Sequence, residues 1–293
     1  MLKIGVIEAP SILGLKPTGV QYLPDSLKRA NLLGQLCAEY VGRIEAPPYD
    51  HKRDEVTHLL NPRGIHDYSL LLAEAVTSVL EENKFPLVLG GDCSILIGNL
   101  LALRRFGKYG LFFIDGHADF YQPEASPTGE VADMDLAIVS GRGPDILTNI
   151  DGLKPLVQDI NIISFGHRDA EEAQAYGSQN VRESNIFVLD LEEVRELGIE
   201  RAASIALDKI LDENLEGFWI HFDVDVLDDE VMPAVDYRMK GGMNFIELSK
   251  LLKILLRSGQ AVGMDITIFN PNLDKGGEIS HKLVSSVVEA FSN

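Results

Sequence analysis

Seven short apolar segments constrain the fold of this chain more than any other feature of its sequence. Each is five to seven residues long, and together they read KIGVI, FPLVLG, GLFFID, INIISFG, NIFVLD, GFWIHFD and QAVGMDI. They are rich in Val, Ile and Phe and are almost uninterrupted by polar residues. Strands that are buried on both faces of a parallel sheet have this near-continuous apolarity. The segments therefore predict a buried, mostly parallel sheet.

Segments with helical spacing of apolar residues separate these strands. They cover residues 25–39 after Pro24, 67–83, 94–106, 191–212 with a break near Gly198, 244–258 and 278–291. Strand followed by helix, repeated along a chain, is typical of a doubly wound fold. The sequence predicts an α/β protein with a three-layer α/β/α arrangement and one domain over residues 1–293. The turn-rich stretch 121–134 is predicted to be a loop that carries function.

Charge and cysteine content narrow the function classes. The 293 residues include 26 Lys and Arg against 45 Asp and Glu, a formal net charge of -19. This charge repels nucleic acids and anionic membranes and suits a small neutral or cationic ligand, although it can also serve solubility alone. Two cysteines, Cys37 and Cys93, indicate a reducing compartment rather than a disulfide scaffold. No signal-peptide or membrane-spanning pattern is present, so we expect a soluble, cytoplasmic protein.

The segment LFFIDGHADF ends an apolar strand with Asp115, His117 and Asp119 at alternate positions. If the chain stays extended past Ile114, these three side chains share one face of the strand. Two carboxylates and an imidazole are suitable ligands for a divalent cation. The alternative is that Asp115 caps a turn and that Gly116 permits a sharp bend, and the motif alone favours neither reading.

Two further strand ends favour the interpretation that the motif binds a metal ion. In WIHFDVDVLDD, Asp223 and Asp225 follow an apolar strand, and LVLGGDCS places Cys93 after another. The carboxyl ends of parallel strands form the ligand crevice of an open α/β sheet. Acidic groups that converge there repel one another, and bound cations relieve that cost.

Four segments, LGGDCS, FIDGHADF, FDVDVLDD and GMDITIFNP, resemble the signature segments of the ureohydrolase superfamily, which includes arginase, agmatinase and formimidoylglutamase. The resemblance covers nearly the whole chain and implies an arginase-like fold, a small-molecule substrate and a homo-oligomer, trimeric or hexameric. It also implies two manganese ions bridged by hydroxide, which attacks a guanidinium or formimino carbon. One ion would be held by Cys93, Asp115, Asp119 and Asp223, and the other by Asp115, His117, Asp223 and Asp225. Asp119 would be catalytic by orienting the nucleophile.

Two departures from the family pattern concern the metal and the proton relay. Cys93 stands where the family has a histidine ligand, and a thiolate suits zinc, iron or nickel better than manganese. Alternatively, Cys93 packs as a small buried side chain and ligates nothing. Ala132 stands where the family has a proton-transferring histidine. Glu130, Asp133 and His167 are candidate replacements, each with the alternative of a solvated loop residue.

Three positions bear on the substrate. Ile268 replaces the glutamate that pairs with the guanidinium, and Tyr121 stands where arginases have an asparagine that binds the substrate carboxylate. Asp236 could supply a replacement carboxylate or could simply be solvated. We therefore predict a hydrolase of linear C–N bonds in a guanidino, amidino or formimino compound other than arginine. The alternative is a catalytically silent homologue that acts as a binding or oligomeric scaffold. A nucleotide-binding protein is disfavoured because LVLGGDCS lacks the spacing of a dinucleotide fingerprint.

Overall fold

Eight strands form one parallel sheet in the computed structural model, which describes residues 2–211 and 214–292. The strands are β1 (Ile4–Glu8), β2 (Glu39–Arg43), β3 (Phe85–Leu89), β4 (Gly110–Ile114), β5 (Ile162–Phe165), β6 (Phe187–Leu189), β7 (Phe218–Asp223) and β8 (Ala261–Thr267). Their order across the sheet is β2-β1-β3-β8-β7-β4-β5-β6. All seven predicted strands are present, and the predicted α/β class with a parallel sheet is confirmed.

Helices connect and cover the strands. They are α1 (Leu23–Arg29), α2 (Leu32–Leu36), α3 (Pro62–Glu81), α4 (Leu96–Phe106), α5 (Asp135–Val139), α6 (Asp145–Thr148), α7 (Ala170–Tyr176), α8 (Leu191–Leu197), α9 (Ile199–Leu211), α10 (Phe245–Arg257) and α11 (Glu278–Phe291). The predicted break at Gly198 separates α8 from α9, while position 212 of that prediction lies outside the described residues. Across residues 2–211 and 214–292, none of the helices has both the length and the apolarity that crossing a membrane requires.

The prediction of one helix over residues 25–39 is wrong. That stretch forms α1 and α2, and β2 begins at its last residue. Asn31 and Cys37 both adopt left-handed backbone conformations, with φ of 65° and 51°, which end one helix and the next. Strand β2 pairs only with β1, at the edge of the sheet, and its first three residues are exposed. An edge strand without a buried apolar run gives no signal of the kind that identified the other seven.

Successive residues of a strand pack alternately in two separate apolar layers, one on each face of the sheet. Val6 of β1 packs in the layer beneath α1, α2, α9, α10 and α11, while the next residue, Ile7, packs beneath α3, α4 and α5. Phe112 and Phe113 of β4 divide between the two layers in the same way. This period of two places helices on both faces of the sheet and produces the predicted three layers.

The topology opens a crevice at the centre of the sheet. Strands β3 and β4 are consecutive in the chain, yet β8 and β7 lie between them in the sheet. Connections that leave such a switch point run to opposite sides, so the carboxyl ends of the central strands remain uncovered. The segments that follow β3, β4, β7 and β8 all emerge there, and they carry the residues singled out in the sequence.

Close packing between β7 and β8 gives a test of this central region. Gly263 of β8 pairs with Trp219 of β7, and a methyl group at Gly263 would lie 2.1 Å from the Trp219 ring. We expect Gly263→Ala to lower the free energy of unfolding by about 1–3 kcal/mol, the usual cost of overpacking a core. Chemical denaturation measures this change. Gly42→Ala on the edge strand is the matched control, because its methyl group meets nothing within 4 Å and should leave stability nearly unchanged.

Candidate metal centre

The chain bends as it leaves β4, and this bend gathers three side chains. The Asp115 carboxylate accepts a hydrogen bond from the backbone N–H of His117 at 2.7 Å, so Asp115 does cap a turn. Asp119 adopts a left-handed backbone with φ of 44°. The chain is therefore not extended past Ile114, and the alternative of a capped turn is the one that the structure has. Nevertheless, the three side chains come close together: each offers one possible ligand atom, and these atoms of Asp115, His117 and Asp119 lie within 4.8 Å of one another. The turn, rather than a shared strand face, brings them together.

The end of β7 is tied to this bend. The Asp223 carboxylate accepts the N–H of Asp225 at 2.8 Å, which fixes a short 3-10 turn. Asp225 accepts the N–H of Gly116 at 3.1 Å, and its second oxygen lies 3.0 Å from Nδ1 of His117. These contacts join the two predicted acidic motifs into one cluster.

Cys93 belongs to the same cluster. It begins the 3-10 turn after β3 and is 1% exposed. Its thiol donates to the Asp223 carboxylate, with Sγ 2.8 Å from Oδ2, and lies 3.2 Å from Oγ1 of Thr267. The sulfur therefore faces the acidic groups directly and is not packed only among apolar side chains.

His221 is a member that the sequence reasoning missed. It lies on β7 two residues before Asp223, so the alternation His221, Asp223, Asp225 in WIHFDVD was the available signal. The ring is fully buried and stacks on Phe113, with centroids 4.7 Å apart. Its Nε2 faces the Asp115 carboxylate at 3.9 Å, which is too far for a hydrogen bond.

The other ring nitrogen of His221 is firmly held. Nδ1 lies 2.6 Å from an oxygen of Asp265 on β8. The second Asp265 oxygen accepts hydrogen bonds from Trp219 Nε1 at 2.6 Å and from Asn99 Nδ2 at 2.9 Å. Although burial works to lower the pKa of His221, the Asp265 carboxylate outweighs it and raises that pKa to about 9.

The donor atoms form two groups that share Asp115. One group consists of Cys93, Asp115, His221 and Asp223, and the other of Asp115, His117 and Asp119. Within each group the candidate ligand atoms lie within 4.8 Å of one another. The resemblance predicted that Asp119 shares an ion with Cys93. In the structure, the Asp119 carboxylate is instead grouped with Asp115 and His117. Asp225 belongs to neither group and instead contacts the His117 ring.

Burial makes the negative charge of this cluster costly. It raises the pKa of Asp115 to about 6, and burial together with the neighbouring carboxylates raises the pKa values of Asp119 and Asp223 well above the usual range. Asp225 is the exception, because His117 and Arg168 overcome the effect of burial and lower its pKa. Burial, reinforced by Asp223, also raises the pKa of the Cys93 thiol. Burial thus favours the protonated forms of Asp115, Asp119, Asp223 and Cys93, and bound metal ions would compete with those protons.

Unpartnered polar atoms indicate what the cluster can accept. Within the described residues, Oδ2 of Asp115, Nε2 of His221 and both carboxylate oxygens of Asp135 are buried without a hydrogen-bond partner. Asp135, the second residue that the sequence reasoning missed, is fully buried and lies 3.9 Å from His221 Nε2. Buried polar atoms normally find partners, so such a concentration is unusual. Oxygen, nitrogen and sulfur donors arranged in this way fit a pair of divalent cations.

A cavity of about 390 Å³ opens above the cluster. Its lining carries seven acidic side chains, Asp119, Glu130, Asp133, Asp169, Glu172, Asp223 and Asp225. Lys16 is the lysine among the lining residues, and its ammonium lies 3.0 Å from the Glu130 carboxylate. Such a cavity attracts cationic ligands.

The three predicted substrate-binding residues differ in position. Tyr121 and Ile268 line the cavity. Ile268 has a left-handed backbone with φ of 69°, a rare conformation for a β-branched residue. Asp236 is not among the lining residues; its carboxylate accepts hydrogen bonds from Asn270 Nδ2 at 2.8 Å and Thr18 Oγ1 at 2.5 Å. This carboxylate therefore fastens two loops together.

The three candidate proton donors also differ in position. Glu130 and Asp133 line the cavity beside Ala132, whereas His167 is buried and is not among the lining residues, with Nδ1 3.3 Å from Oγ of Ser164. Asp133 accepts a hydrogen bond from Ser126 Oγ at 2.8 Å. Burial raises the pKa of Asp133 to about 7, against the opposing effect of that hydrogen bond.

Comparison with known proteins agrees with this geometry. The sequence model of the Arginase family matches residues 3–292. An arginase from Bacillus subtilis is 31% identical over 294 residues, covering 97% of each chain, and one from Staphylococcus aureus strain COL is 30% identical, covering 98% of this chain and 96% of the relative. The native structure of Bacillus caldovelox arginase superimposes with a TM-score of 0.89 at 26% identity, covering 100% of this chain and 99% of the other. The chain belongs to the arginase family, as its motifs predicted.

Proposed function

We propose that this protein is a binuclear metal-dependent hydrolase that cleaves a linear C–N bond in a small cationic molecule. The observation that carries the proposal is the cluster of buried donors, shared through Asp115, on the floor of an acidic cavity. The residues that would hold the ions are Cys93, Asp115, His117, Asp119, Asp223 and Asp225. The chemistry that such a pair supplies when bound is a lowered pKa of a shared water, which makes hydroxide available near neutral pH.

Asp119 is the side chain suited to orient the attacking water. It lines the cavity and also lies within 4.8 Å of the Asp115 and His117 ligand atoms, so it reaches both the ion-binding donors and the substrate space. A carboxylate in this place can accept a hydrogen bond from the nucleophile and hold it in line with the substrate carbon.

The acidic lining supports a guanidino, amidino or formimino substrate. Each of these groups is cationic when protonated, has a planar carbon open to attack, and carries N–H donors that match carboxylate acceptors. Of the seven acids, Asp119, Asp223 and Asp225 are proposed ion ligands and Glu130 is paired with Lys16, whereas Asp169 and Glu172 have neither role. We propose that these two carboxylates attract the cationic substrate.

The place of Ile268 in the cavity supports a substrate other than arginine. An isoleucine cannot form the charge-assisted hydrogen bonds that a glutamate would form with a guanidinium, each of which contributes about 1.5–3 kcal/mol. Tyr121 likewise occupies part of the lining with a bulky ring. The arginase relatives, at about a third identity, leave the substrate open, so arginine belongs in any substrate panel.

Asp133 is the proposed proton donor in place of the family histidine. It lies next to Ala132 on the cavity wall, and its pKa of about 7 lets it carry a proton at neutral pH. A general acid works best when its pKa is near the operating pH. Asp133 can therefore deliver a proton to the departing amine.

We also propose that residues 1–293 act as one cytoplasmic domain that assembles into a homotrimer or homohexamer. The single continuous sheet supports one folding unit. The assembly follows only from the family resemblance, and sedimentation analysis of the purified protein tests it.

Metal loading followed by a substrate panel tests the proposed activity. We expect the purified protein to bind two divalent ions and to release urea, ammonia or formamide from at least one guanidino, amidino or formimino compound, with arginine inert. Chelation should abolish the release, and Asp119→Asn should lower it by ~10² or more because the nucleophile is no longer oriented. Metal binding without turnover of any compound would favour the silent scaffold, and failure to bind metal would exclude the hydrolase.

Ile268→Glu tests the basis of specificity. A carboxylate at this position should raise kcat/KM for guanidino compounds, arginine included, by ~10–10²-fold, since ~1.4 kcal/mol corresponds to tenfold. The exchange removes a β-branched residue from a left-handed backbone, but it also places a carboxylate at a position that is only 5% exposed, so the folded fraction of each variant is measured beside its kinetics. Ile268→Gln, which has the same shape without the charge, is the control. Equal kinetics of the two variants would show that charge at this position does not select the substrate.

Asp133→Asn tests the proton donor. With a substrate from the panel, wild-type kcat should fall as pH rises through about 7, where Asp133 loses its proton. The asparagine variant should lack this step and be slower by ~10²–10⁴-fold below it, the usual contribution of a general acid. A pH profile that keeps the same step in the variant would assign it to another group.

Stability measured without substrate gives an independent check on the same carboxyl group. The folded pKa of Asp133, about 7, lies above the unfolded value of ~3.9, so the proton that it binds stabilises the folded state fully at low pH. This stabilisation is lost as pH rises from ~4 to 7, by at most ~1.4 kcal/mol per pH unit. Asp133→Asn cannot ionise and should gain stability relative to wild type over that range. A constant difference would contradict the raised pKa.

A further inference from the structure

His221 is built like a metal ligand. Its Nδ1 is fastened to Asp265, and both Asp265 oxygens are themselves hydrogen-bonded, one to the imidazole and the other to Trp219 and Asn99. Histidines that bind metals characteristically donate their second N–H to a carboxylate, which fixes the ring and presents the remaining nitrogen. Stacking on Phe113 further restricts the ring.

The presented nitrogen has no partner among the described residues. Nε2 of His221 is fully buried, and the nearest carboxylate oxygens, on Asp115 and Asp135, are both 3.9 Å away. Oδ2 of Asp115, which faces it, is also unpartnered. A buried polar atom left unsatisfied costs about 1–3 kcal/mol. A cation between these atoms would satisfy both of them.

Three other donors complete a set around that position. The ligand atoms of Cys93, Asp115, His221 and Asp223 lie within 4.8 Å of one another. Zinc binds nitrogen and sulfur at about 2.0–2.3 Å, so two donors of one zinc ion lie at most about 4.6 Å apart. A small closing of the cluster therefore brings all four donors into range.

We propose that His221 is a metal ligand in this chain and that Cys93, Asp115, His221 and Asp223 form one four-donor site that prefers zinc to manganese. This inference rests on the proposed metal-dependent function and adds a ligand to it. One thiolate and one imidazole make the set softer than an all-oxygen site, and such donors favour zinc over manganese. Binding transfers the Cys93 thiol proton, now directed at Asp223, and any proton on Nε2 to solvent.

Asp265 then has a defined part as a positioning residue. It does not touch the ion; it orients the His221 ring through Nδ1. Loss of such an outer carboxylate typically weakens metal affinity by about 10–100-fold. We therefore expect that removal of His221 lowers the metal affinity more than removal of Asp265 does.

Metal content of the purified protein, stripped by chelation and reloaded with zinc, cobalt or manganese, is the measurement. We expect wild type to bind two ions, His221→Asn to lose one of them, and Asp265→Asn to keep both with zinc affinity at that site weakened ~10–100-fold. Cys93→His should shift the preference of the site toward manganese. His167→Asn, a buried histidine away from the donor groups, is the matched control and should bind both ions as wild type does.

Spectroscopy separates a ligand from a merely structural residue. The cobalt-loaded wild type should show a thiolate-to-cobalt absorption band, which Cys93→His removes and His221→Asn alters. X-ray absorption at the zinc edge of the wild type should show one sulfur and at least one imidazole around the metal, and this needs no variant that could misfold. Two bound ions with unchanged affinity and spectra in His221→Asn would overturn the inference and leave the proposed function intact. A wild type that binds no ion would overturn both.

Discussion

The burial of like charges governs this structure. Asp115, Asp119 and Asp223 converge where water is largely excluded, and each has a pKa raised by that burial. Isolated carboxylates in such a place carry a large solvation penalty, so they must be protonated, paired or bound to cations. Hydrogen bonds from backbone N–H groups fix the positions of the Asp115 and Asp223 carboxylates, and Oδ2 of Asp115 is left without a partner. The fold thus maintains an electrostatic strain that bound divalent cations would relieve.

The parallel sheet makes this concentration possible. Its central strands are almost completely buried, so apart from His221 in β7 and Asp265 in β8 their sequences are apolar until the chain emerges at the carboxyl edge. The reversal between β3 and β4 leaves that edge open over β8 and β7. Polar residues that follow four different strands therefore meet in one crevice, although they are far apart in the sequence. Turns such as the one capped by Asp115 then set the final direction of each side chain.

The sequence was sufficient to predict the strands that are buried and the motifs that end them. It failed for β2, because an exposed edge strand needs no apolar run. Asp115, His117 and Asp119 were expected to converge on an extended strand, whereas a bend brings them together. His221 escaped notice because its meaning depends on Asp265, 44 residues further along the chain, and on Asn99, from a third element. Asp135 was missed for the same reason, since only the folded chain brings it to His221. The alternation of His221, Asp223 and Asp225 was a local signal, but the long-range contacts that orient the His221 ring and bring Asp135 to it leave none.

The burial of Cys93 has a consequence for how the two thiols of this chain react. The thiolate is the reactive form of cysteine, and a thiol that is enclosed and kept protonated by acidic neighbours is slow toward oxidants and alkylating reagents. Cys93 is in that state, whereas Cys37 lies exposed at the end of α2. The two thiols of the folded protein are therefore chemically distinguishable: a reagent can label Cys37 at the surface while the fold itself protects Cys93.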